Sequence, residues 1–125
     1  MFMFSDPGLI KAVVAARKRG VDVRVMLNAA RRSGEAENED TRKTLTDGGV
    51  TVQDSNPAFD LTHEKSMVVD ESVAYIMSLN WETRNVTETR DYAIVTTHGH
   101  EVDEVVACFE ADWHRKAFEA NASAH

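Results

Sequence analysis

The sequence predicts an α/β domain in which a mixed β-sheet is flanked by helices. Strand-like alternation and helical spacing follow one another along the chain, and several short strands lie close together in its second half. The 125 residues, 42% of them hydrophobic, suffice for one domain with a single core. No internal repeat interrupts this pattern. Residues 1–125 are therefore expected to form one domain.

The first half of the chain contains the first predicted helix. Residues 1–4 look like the end of a first strand whose beginning is missing, as in a shortened chain or a piece of a longer protein. Ser5 and Asp6 offer capping side chains before Pro7, which suits the first helical position, and Gly20 ends the helix. The other predicted elements are a strand at residues 21–27, a loop at 31–40, a helix at 40–46 and a strand at 50–52.

The second half predicts three strands and a last helix. The strands are expected at residues 63–69, 73–78 and 90–96, with a tight hairpin at residues 70–72. The last helix is expected at about residues 101–117, because apolar side chains there recur on one side at helical spacing.

Composition limits the classes of function. The net charge of −7 argues against a broad, non-specific grip on nucleic acid but leaves room for a local basic cleft. No apolar run approaches the roughly 20 residues of a membrane span, and residues 1–4 are too short for a signal peptide. A cytoplasmic protein is predicted, at most peripheral to a membrane. The single cysteine, Cys108, excludes an intrachain disulfide.

The most specific chemistry lies in the segment that begins at His63. His63, Lys65 and Asp70 form the pattern H-x-K-x-x-x-x-D. Alternate side chains of an extended strand share a face, so the imidazole of His63 and the ammonium of Lys65 are expected to point the same way. An imidazole beside a fixed cation suits attack on a phosphodiester. Asp70 has the opposite parity and is predicted to be a structural carboxylate.

Four further segments join this pattern. Residues 78–81 read Ser-Leu-Asn-Trp and residues 89–95 read Thr-Arg-Asp-Tyr-Ala-Ile-Val, where neighbouring strands would carry further site residues. Together with residues 19–25 and 109–113, they resemble the phospholipase D superfamily, the phosphodiesterases named for their HKD motif. The resemblance covers about residues 4–118 and implies an α-β-α sandwich of the phospholipase D type.

The resemblance implies a role for each candidate site residue. His63 would be the nucleophile that forms a phosphohistidine, or the general acid that protonates the leaving oxygen. Lys65 and Asn80 would clamp the non-bridging oxygens, where charge grows. Asp91 stands where the family usually has a glutamate, which accepts from one imidazole nitrogen and orients the ring. Ser78 matches a structural serine of the motif. This chemistry calls for no metal and no cofactor.

The family's mechanism needs two histidines, and this chain supplies one HKD set. The chain is therefore predicted to act as a homodimer with His63 of each copy facing the other, or as one half of a longer enzyme. Two positions depart from the family pattern: Met77 replaces a glycine, and Asp91 is one methylene shorter than glutamate. These departures leave a non-catalytic interaction or dimerisation module as a competing class.

A phospholipid head group is the favoured substrate, and the phosphodiesters of DNA or RNA are the alternative. The acidic balance and residues 89–95, which look like those of lipid-acting or cardiolipin-synthase-like relatives, favour lipid; the small size favours nucleic acid. Arg31 and Arg32 are candidates for a substrate mouth, although a solvated surface is the favoured interpretation. His98 and His100 resemble metal ligands but are predicted to lie in a loop that enters the last helix.

Overall fold

The computed structural model describes residues 1–29 and 37–119. Its elements, in chain order, are α1 (Pro7–Lys18), β1 (Arg24–Leu27), α2 (Glu37–Asp47), β2 (Thr51–Asp54), β3 (Ser66–Val69), β4 (Val73–Met77), α3 (Thr83–Thr87), β5 (Ala93–Thr96) and α4 (Gly99–Trp113). Every helix and strand predicted from residue 7 onward is present with shifted bounds, and α3 is an addition.

Helix α1 begins where the sequence predicts. Asp6 is its N-cap, since its side chain accepts a hydrogen bond from the backbone N of Leu9 at 2.9 Å, and Pro7 takes the first helical position. After the helix ends, Gly20 has a φ of +94°, a conformation that glycine adopts readily and other residues rarely do. Local signals therefore determine both ends of this helix.

The strands form two hydrogen-bonded ladders. β1 and β2 pair in parallel, whereas β3, β4 and β5 are antiparallel with β4 in the middle. Residues 1–4 lie between the ladders: Met1 N donates to Met26 O at 2.7 Å on one side, and Trp81 N donates to Met3 O at 3.0 Å on the other. The predicted mixed sheet is confirmed in this divided form.

Helices cover the sheet, as predicted. α1 and α2 pack together beside β2, and α4 packs against β3 and β4. The core beneath α1 and α2 centres on four side chains that are each at most 4% exposed: Phe4, Leu27, Leu45 and Val50. Apolar side chains of α1 complete this core, among them Leu9, Ile10, Val13 and Val14. Because Phe4 belongs to this core, side-chain packing as well as hydrogen bonding holds the N-terminal segment in place.

A buried asparagine fastens α2 to the N-terminal segment. Asn38 is fully buried, and its Oδ1 accepts from Phe4 N at 3.0 Å. Its Nδ2 donates to Phe2 O at 2.7 Å and to Asn28 O at 3.2 Å. One side chain therefore satisfies backbone groups of residues on two different segments, which fixes the path of residues 2–4.

We expect Asn38→Ala to lower the free energy of unfolding by about 2–4 kcal/mol, because it leaves buried backbone groups without partners at a cost of about 1–3 kcal/mol each. Urea unfolding followed by circular dichroism measures the change. Asn56→Ala is the matched control, since it loses one exposed hydrogen bond to Ala58 N and should cost less than about 1 kcal/mol. Equal losses in the two variants would contradict the role given to Asn38.

The predicted start of β3 is wrong. The strand begins at Ser66 rather than at His63, so the catalytic candidates precede the ladder. Met77 N still donates to Lys65 O at 2.9 Å, but the next N–H, that of Ser78, donates to the segment before β5. Successive N–H groups of a strand point to its two sides, so β4, the middle strand, keeps a partner on each side, and its last described bond toward β3 is the one at Lys65.

Other bounds differ because contacts distant in sequence set them. Four of the five residues of α3, Thr-Arg-Asn-Val-Thr, have low helix propensity, arginine being the exception. A contact distant in sequence supports the helix, since Thr83 Oγ1 donates to Asp6 Oδ1 at 2.7 Å. Helix α4 runs over Gly99–Trp113 instead of 101–117, so the predicted entry loop is wrong: His98 is the N-cap and His100 lies in the first turn. Smaller shifts affect α2, which begins at Glu37, β1, which begins at Arg24, and β5, which begins at Ala93.

Candidate active site

An open hollow of about 340 Å³ lies where β4 ends beside the segment that enters β3. The residues that line it come from these two segments: His63, Glu64, Lys65, Ile76, Met77 and Ser78. The H-x-K segment therefore faces the end of β4 across a space open to solvent. Met77, which departs from the family pattern, forms part of the wall.

The structure brings the predicted imidazole and ammonium into contact. Lys65 Nζ lies 3.0 Å from His63 Nδ1 and 3.3 Å from His63 Nε2. A lysine ammonium can only donate and a neutral imidazole has one accepting nitrogen, so one of these two contacts is a hydrogen bond into a lone pair of the ring. The imidazole itself is exposed. This geometry leaves an unprotonated ring nitrogen beside a cation at the mouth of the hollow.

Lys65 is the buried charge of the site. Its side chain is only 6% exposed, and this burial lowers the pKa of its ammonium, while the charge of Asp91 acts in the opposite direction. Within residues 1–29 and 37–119, no carboxylate lies within 4.0 Å of Nζ. A poorly hydrated cation without a direct counter-ion favours an anionic group in the adjoining hollow.

Asp91 does not bind the imidazole, contrary to what the resemblance implies. Ser78 Oγ donates to its Oδ1 at 2.8 Å, and the hydroxyl of Thr89 donates to its Oδ2. Among the described residues, no hydrogen bond joins Asp91 to His63. The hydroxyl of Thr89, then that of Ser78, lowers the pKa of this carboxyl, so it is ionised at neutral pH. The charge of Asp91 therefore acts electrostatically on the ammonium of Lys65, and the carboxylate does not orient His63 through a hydrogen bond.

Ser78 connects the end of β4 to the segment before β5. Besides its bond to Asp91, its Oγ accepts from Tyr92 N at 3.0 Å, and its own N donates to Tyr92 O at 2.9 Å. This serine thus holds Asp91 at the rim of the hollow. Its contacts are those of a positioning side chain.

Asn80 reaches the N-terminal segment. Its Oδ1 accepts from Met3 N at 3.2 Å, and its φ is not positive, so it is not a turn residue of left-handed geometry. No hydrogen bond from its Nδ2 occurs in the part of the chain that the structure describes. The accepting end of this amide is thereby occupied, and its donating end has no protein partner there.

Asp70 lies at the far end of β3, in the hairpin turn. It has a φ of +53° and Glu71 a φ of +51°, and Ser72 N donates to Val69 O at 3.0 Å. Aspartate tolerates such left-handed geometry better than most residues. The side chain is exposed and is separated from His63 by the whole of β3, so the structure does not bring it into the hollow.

Phe2 is a site residue that the sequence analysis missed. Its ring centroid lies 4.6 Å from that of His63, with the two planes 51° apart, and Lys65 Nζ lies 5.3 Å from the same ring. Nothing in the motif spacing connects Phe2 to His63. The only signal was the strand-like pattern of residues 1–4, because strand pairing brings the beginning of the chain beside the end of β4.

Other candidates lie elsewhere. The rings of His98 and His100 are 5.7 Å apart at the start of α4. No group of three or more histidine, cysteine, aspartate or glutamate side chains that could hold a metal ion occurs among residues 1–29 and 37–119. Arg31 and Arg32, the candidates for a substrate mouth, fall outside the described residues.

Comparisons with known proteins agree with this arrangement. Residues 1–113 match the family model described as "Cardiolipin synthase, PLD-like domain". A curated human protein, the mitochondrial cardiolipin hydrolase, is 33% identical over 116 residues, which is 92% of this chain and 42% of that protein. This chain thus spans less than half the length of that relative.

Two solved structures share the fold. Nuc from Salmonella typhimurium, a phospholipase D family member, has a TM-score of 0.81 at 22% identity, covering 96% of this chain and 78% of that one. NucT from Helicobacter pylori has a TM-score of 0.78 at 11% identity, covering 95% and 79%. Because the matched family model extends from residue 1 to the last residue of α4, this chain belongs to the phospholipase D-like domain family.

Proposed function

We propose that this chain hydrolyses or transfers a phosphodiester through a phosphohistidine on His63. The observation that supports this most is the contact between the exposed imidazole of His63 and the buried ammonium of Lys65 at an open hollow. The pair joins a nucleophile to a cation that has no carboxylate within 4.0 Å among the described residues. A phosphodiester provides the electrophilic phosphorus for the first and the negative charge for the second.

The chemical steps follow from these groups. When substrate binds, the hydrogen bond of Lys65 passes from His63 to a non-bridging oxygen, which frees the lone pair of the unprotonated nitrogen. This nitrogen attacks phosphorus, and a P–N bond forms while the P–O bond to the leaving group breaks. A second imidazole gives its proton to the leaving oxygen. Water, or an alcohol in a transfer, then attacks phosphorus and returns a proton to that imidazole as the P–N bond breaks. No step calls for a metal, so turnover is expected to persist in excess EDTA.

The neighbouring side chains stabilise the charge that develops. Lys65 donates to the non-bridging oxygens, and the Nδ2 of Asn80 is the second candidate donor. Asp91 keeps Lys65 protonated through its field, a role different from that of the family's glutamate. Ser78 holds Asp91 in place, and Asp70 supports the hairpin turn outside the hollow.

A phospholipid head group is the substrate that we favour. Ile76 and Met77 give the hollow an apolar wall, and the net charge of −7 disfavours a long polyanion. The human relative is a cardiolipin hydrolase by name, and cardiolipin is a phospholipid. Hydrolysis of cardiolipin or phosphatidylcholine vesicles is to be compared with nicking of plasmid DNA. Plasmid nicking without lipid hydrolysis would overturn this preference, and no turnover on either would favour a non-catalytic module.

None of the helices in the described part of the chain combines the length and apolar character that a bilayer crossing demands. A cytoplasmic location remains a prediction, and the human relative is mitochondrial by name.

The second imidazole is proposed to come from a second copy of this chain. β5 is an edge strand of its ladder, and two large apolar side chains are exposed on one of its faces: Tyr92, just before the strand, is 76% exposed, and Ile94 is 68% exposed. Such a patch is typical of an interaction surface. Tyr92 pairs with Ser78 at the rim of the hollow, so a copy that covers this patch would lie beside His63. A second HKD half in a longer chain is the alternative source.

We expect the wild-type chain to be dimeric and Ile94→Lys to shift it toward monomer, because the substitution places a charge in the apolar patch. Light scattering after size exclusion measures the mass across protein concentrations. Specific activity should rise with concentration in wild type and fall in the variant. Val21→Lys is the matched control, since Val21 is 44% exposed outside this patch. A wild-type chain that is active as a monomer at all concentrations would contradict the shared site.

A further inference from the structure

We infer that Phe2 is the positioning residue of the reactive pair: its ring holds the His63 imidazole in the orientation that attack requires. The inference rests on the proposed function for its consequence in catalysis, but its structural content can be tested without turnover. The Phe2 ring contacts His63 and also lies beside Lys65. It is thus the aromatic side chain shared by both reacting groups.

The imidazole needs such support because none of the carboxylates in the described part of the chain orients it. The hydroxyls of Ser78 and Thr89 occupy both oxygens of Asp91, and no hydrogen bond from Asp91 reaches His63 among the described residues. The hydrogen-bond partner of the imidazole is the ammonium at the end of the long Lys65 side chain. A ring can still turn about the axis of a single hydrogen bond, so this bond does not by itself fix the plane of the imidazole. The tilted contact with Phe2 supplies the second constraint.

Phe2 itself lies on a backbone that is fastened on both sides. Its carbonyl accepts from Nδ2 of the fully buried Asn38, and Phe4, two residues later, is 1% exposed and donates to the same asparagine. Between them, Met3 N donates to Asn80 Oδ1. The ring therefore projects from a fixed segment toward the hollow, as expected of a residue that positions another side chain.

The same ring also favours the position of the lysine. Lys65 Nζ lies 5.3 Å from the ring centroid, within the range of a cation–π interaction. This contact partly offsets the loss of hydration that burial imposes on the ammonium. Because one ring contacts both groups, its removal is expected to loosen the His63–Lys65 pair as well as the imidazole.

The experiment compares Phe2→Leu with Phe2→Tyr in the full chain. Three-bond couplings of His63 in labelled protein report whether its side chain holds one rotamer or averages over several. We expect a single rotamer in wild type and in Phe2→Tyr, and averaged couplings in Phe2→Leu. In turnover of an aryl phosphodiester, Phe2→Leu should lower kcat about 10- to 100-fold with little change in KM. Phe2→Tyr should retain most of the wild-type kcat.

Two comparisons separate positioning from a general loss of structure. Phe118→Leu, at a residue 42% exposed, should leave couplings and kcat at their wild-type values. Asp91→Asn should leave the His63 couplings unchanged. Averaging in Asp91→Asn but not in Phe2→Leu would assign the role to the carboxylate and overturn the inference. If Phe2→Leu does not fold, Phe2→Met, which is apolar without a ring, decides by the same couplings.

The two proposals can fail separately. Wild-type protein without turnover, but with couplings that average only when the ring is lost, would reject the proposed function and keep the positioning role. If the wild-type protein turns over substrate and the His63 couplings stay unchanged in Phe2→Leu and Phe2→Met, the positioning role is rejected and the proposed function is kept.

Discussion

His63→Asn is expected to abolish turnover of an aryl phosphodiester, with a loss of about 10³-fold or more. Asparagine keeps a polar side chain of similar size but has no ring nitrogen that can form a bond to phosphorus. Because the imidazole is exposed and lies before β3 rather than in the core, the fold should tolerate the change. Rates are measured in excess EDTA across protein concentrations, with circular dichroism as the check on folding.

The matched control for this variant is His100→Asn. His100 is also an exposed histidine, but it lies in the first turn of α4 and lines no part of the hollow. Its replacement should leave the rate unchanged. Equal losses at both positions, or full activity in His63→Asn, would reject the phosphohistidine mechanism. Loss of wild-type activity on chelation would reject its independence of metals.

Sequence alone predicts the elements whose signals are local. The Asp6–Pro7 start of α1 and the hairpin between β3 and β4 depend on capping and turn chemistry within a few residues, and both are confirmed. The start of β3 depends instead on the extent of its pairing with β4, whose register begins at Ser66 and Ile76. Helix α3 likewise depends on a contact between Thr83 and Asp6, which no window of local sequence contains.

The candidate site divides in the same way. Motif spacing predicts that His63 and Lys65 point the same way, and the structure brings them into contact, although the two precede the strand in which they were expected. It does not predict that hydroxyls occupy both oxygens of Asp91, because that depends on how the segment before β5 folds back on Ser78. Phe2 is beyond the reach of any spacing rule, since sheet pairing alone brings it to the hollow.

These differences share one physical origin. The three segments that build the hollow, residues 1–4, the approach to β3 and the end of β4, are separated along the chain and joined by long-range hydrogen bonds. Local propensity acts within a segment, whereas the site depends on how the segments are placed relative to one another. An aromatic ring can therefore occupy the place at the imidazole that the family pattern assigns to a carboxylate.

Lys65→Met is expected to lower the rate about 10²- to 10³-fold while stabilising the fold. The loss of rate follows because the variant removes a cation from the place where charge develops on the non-bridging oxygens. The gain in stability follows because a buried ammonium without a direct counter-ion is replaced by an apolar side chain of similar length. The free energy of unfolding in urea at pH 7 should rise by about 1 kcal/mol. A variant that is less stable and fully active would contradict both assignments.

The pH dependence gives this prediction a second test. Burial lowers the pKa of Lys65 in the folded protein below the ordinary value of 10.5. Between these two pKa values the unfolded state binds more protons than the folded state, so wild-type stability rises with pH in that window. The stability advantage of Lys65→Met should therefore be largest at neutral pH and shrink as the pH approaches 10.5. Wild-type activity should fall over the same alkaline window, because the deprotonated amine no longer neutralises the phosphoryl oxygens. An advantage that stays constant up to that pH would show that the buried ammonium does not cost the fold its stability.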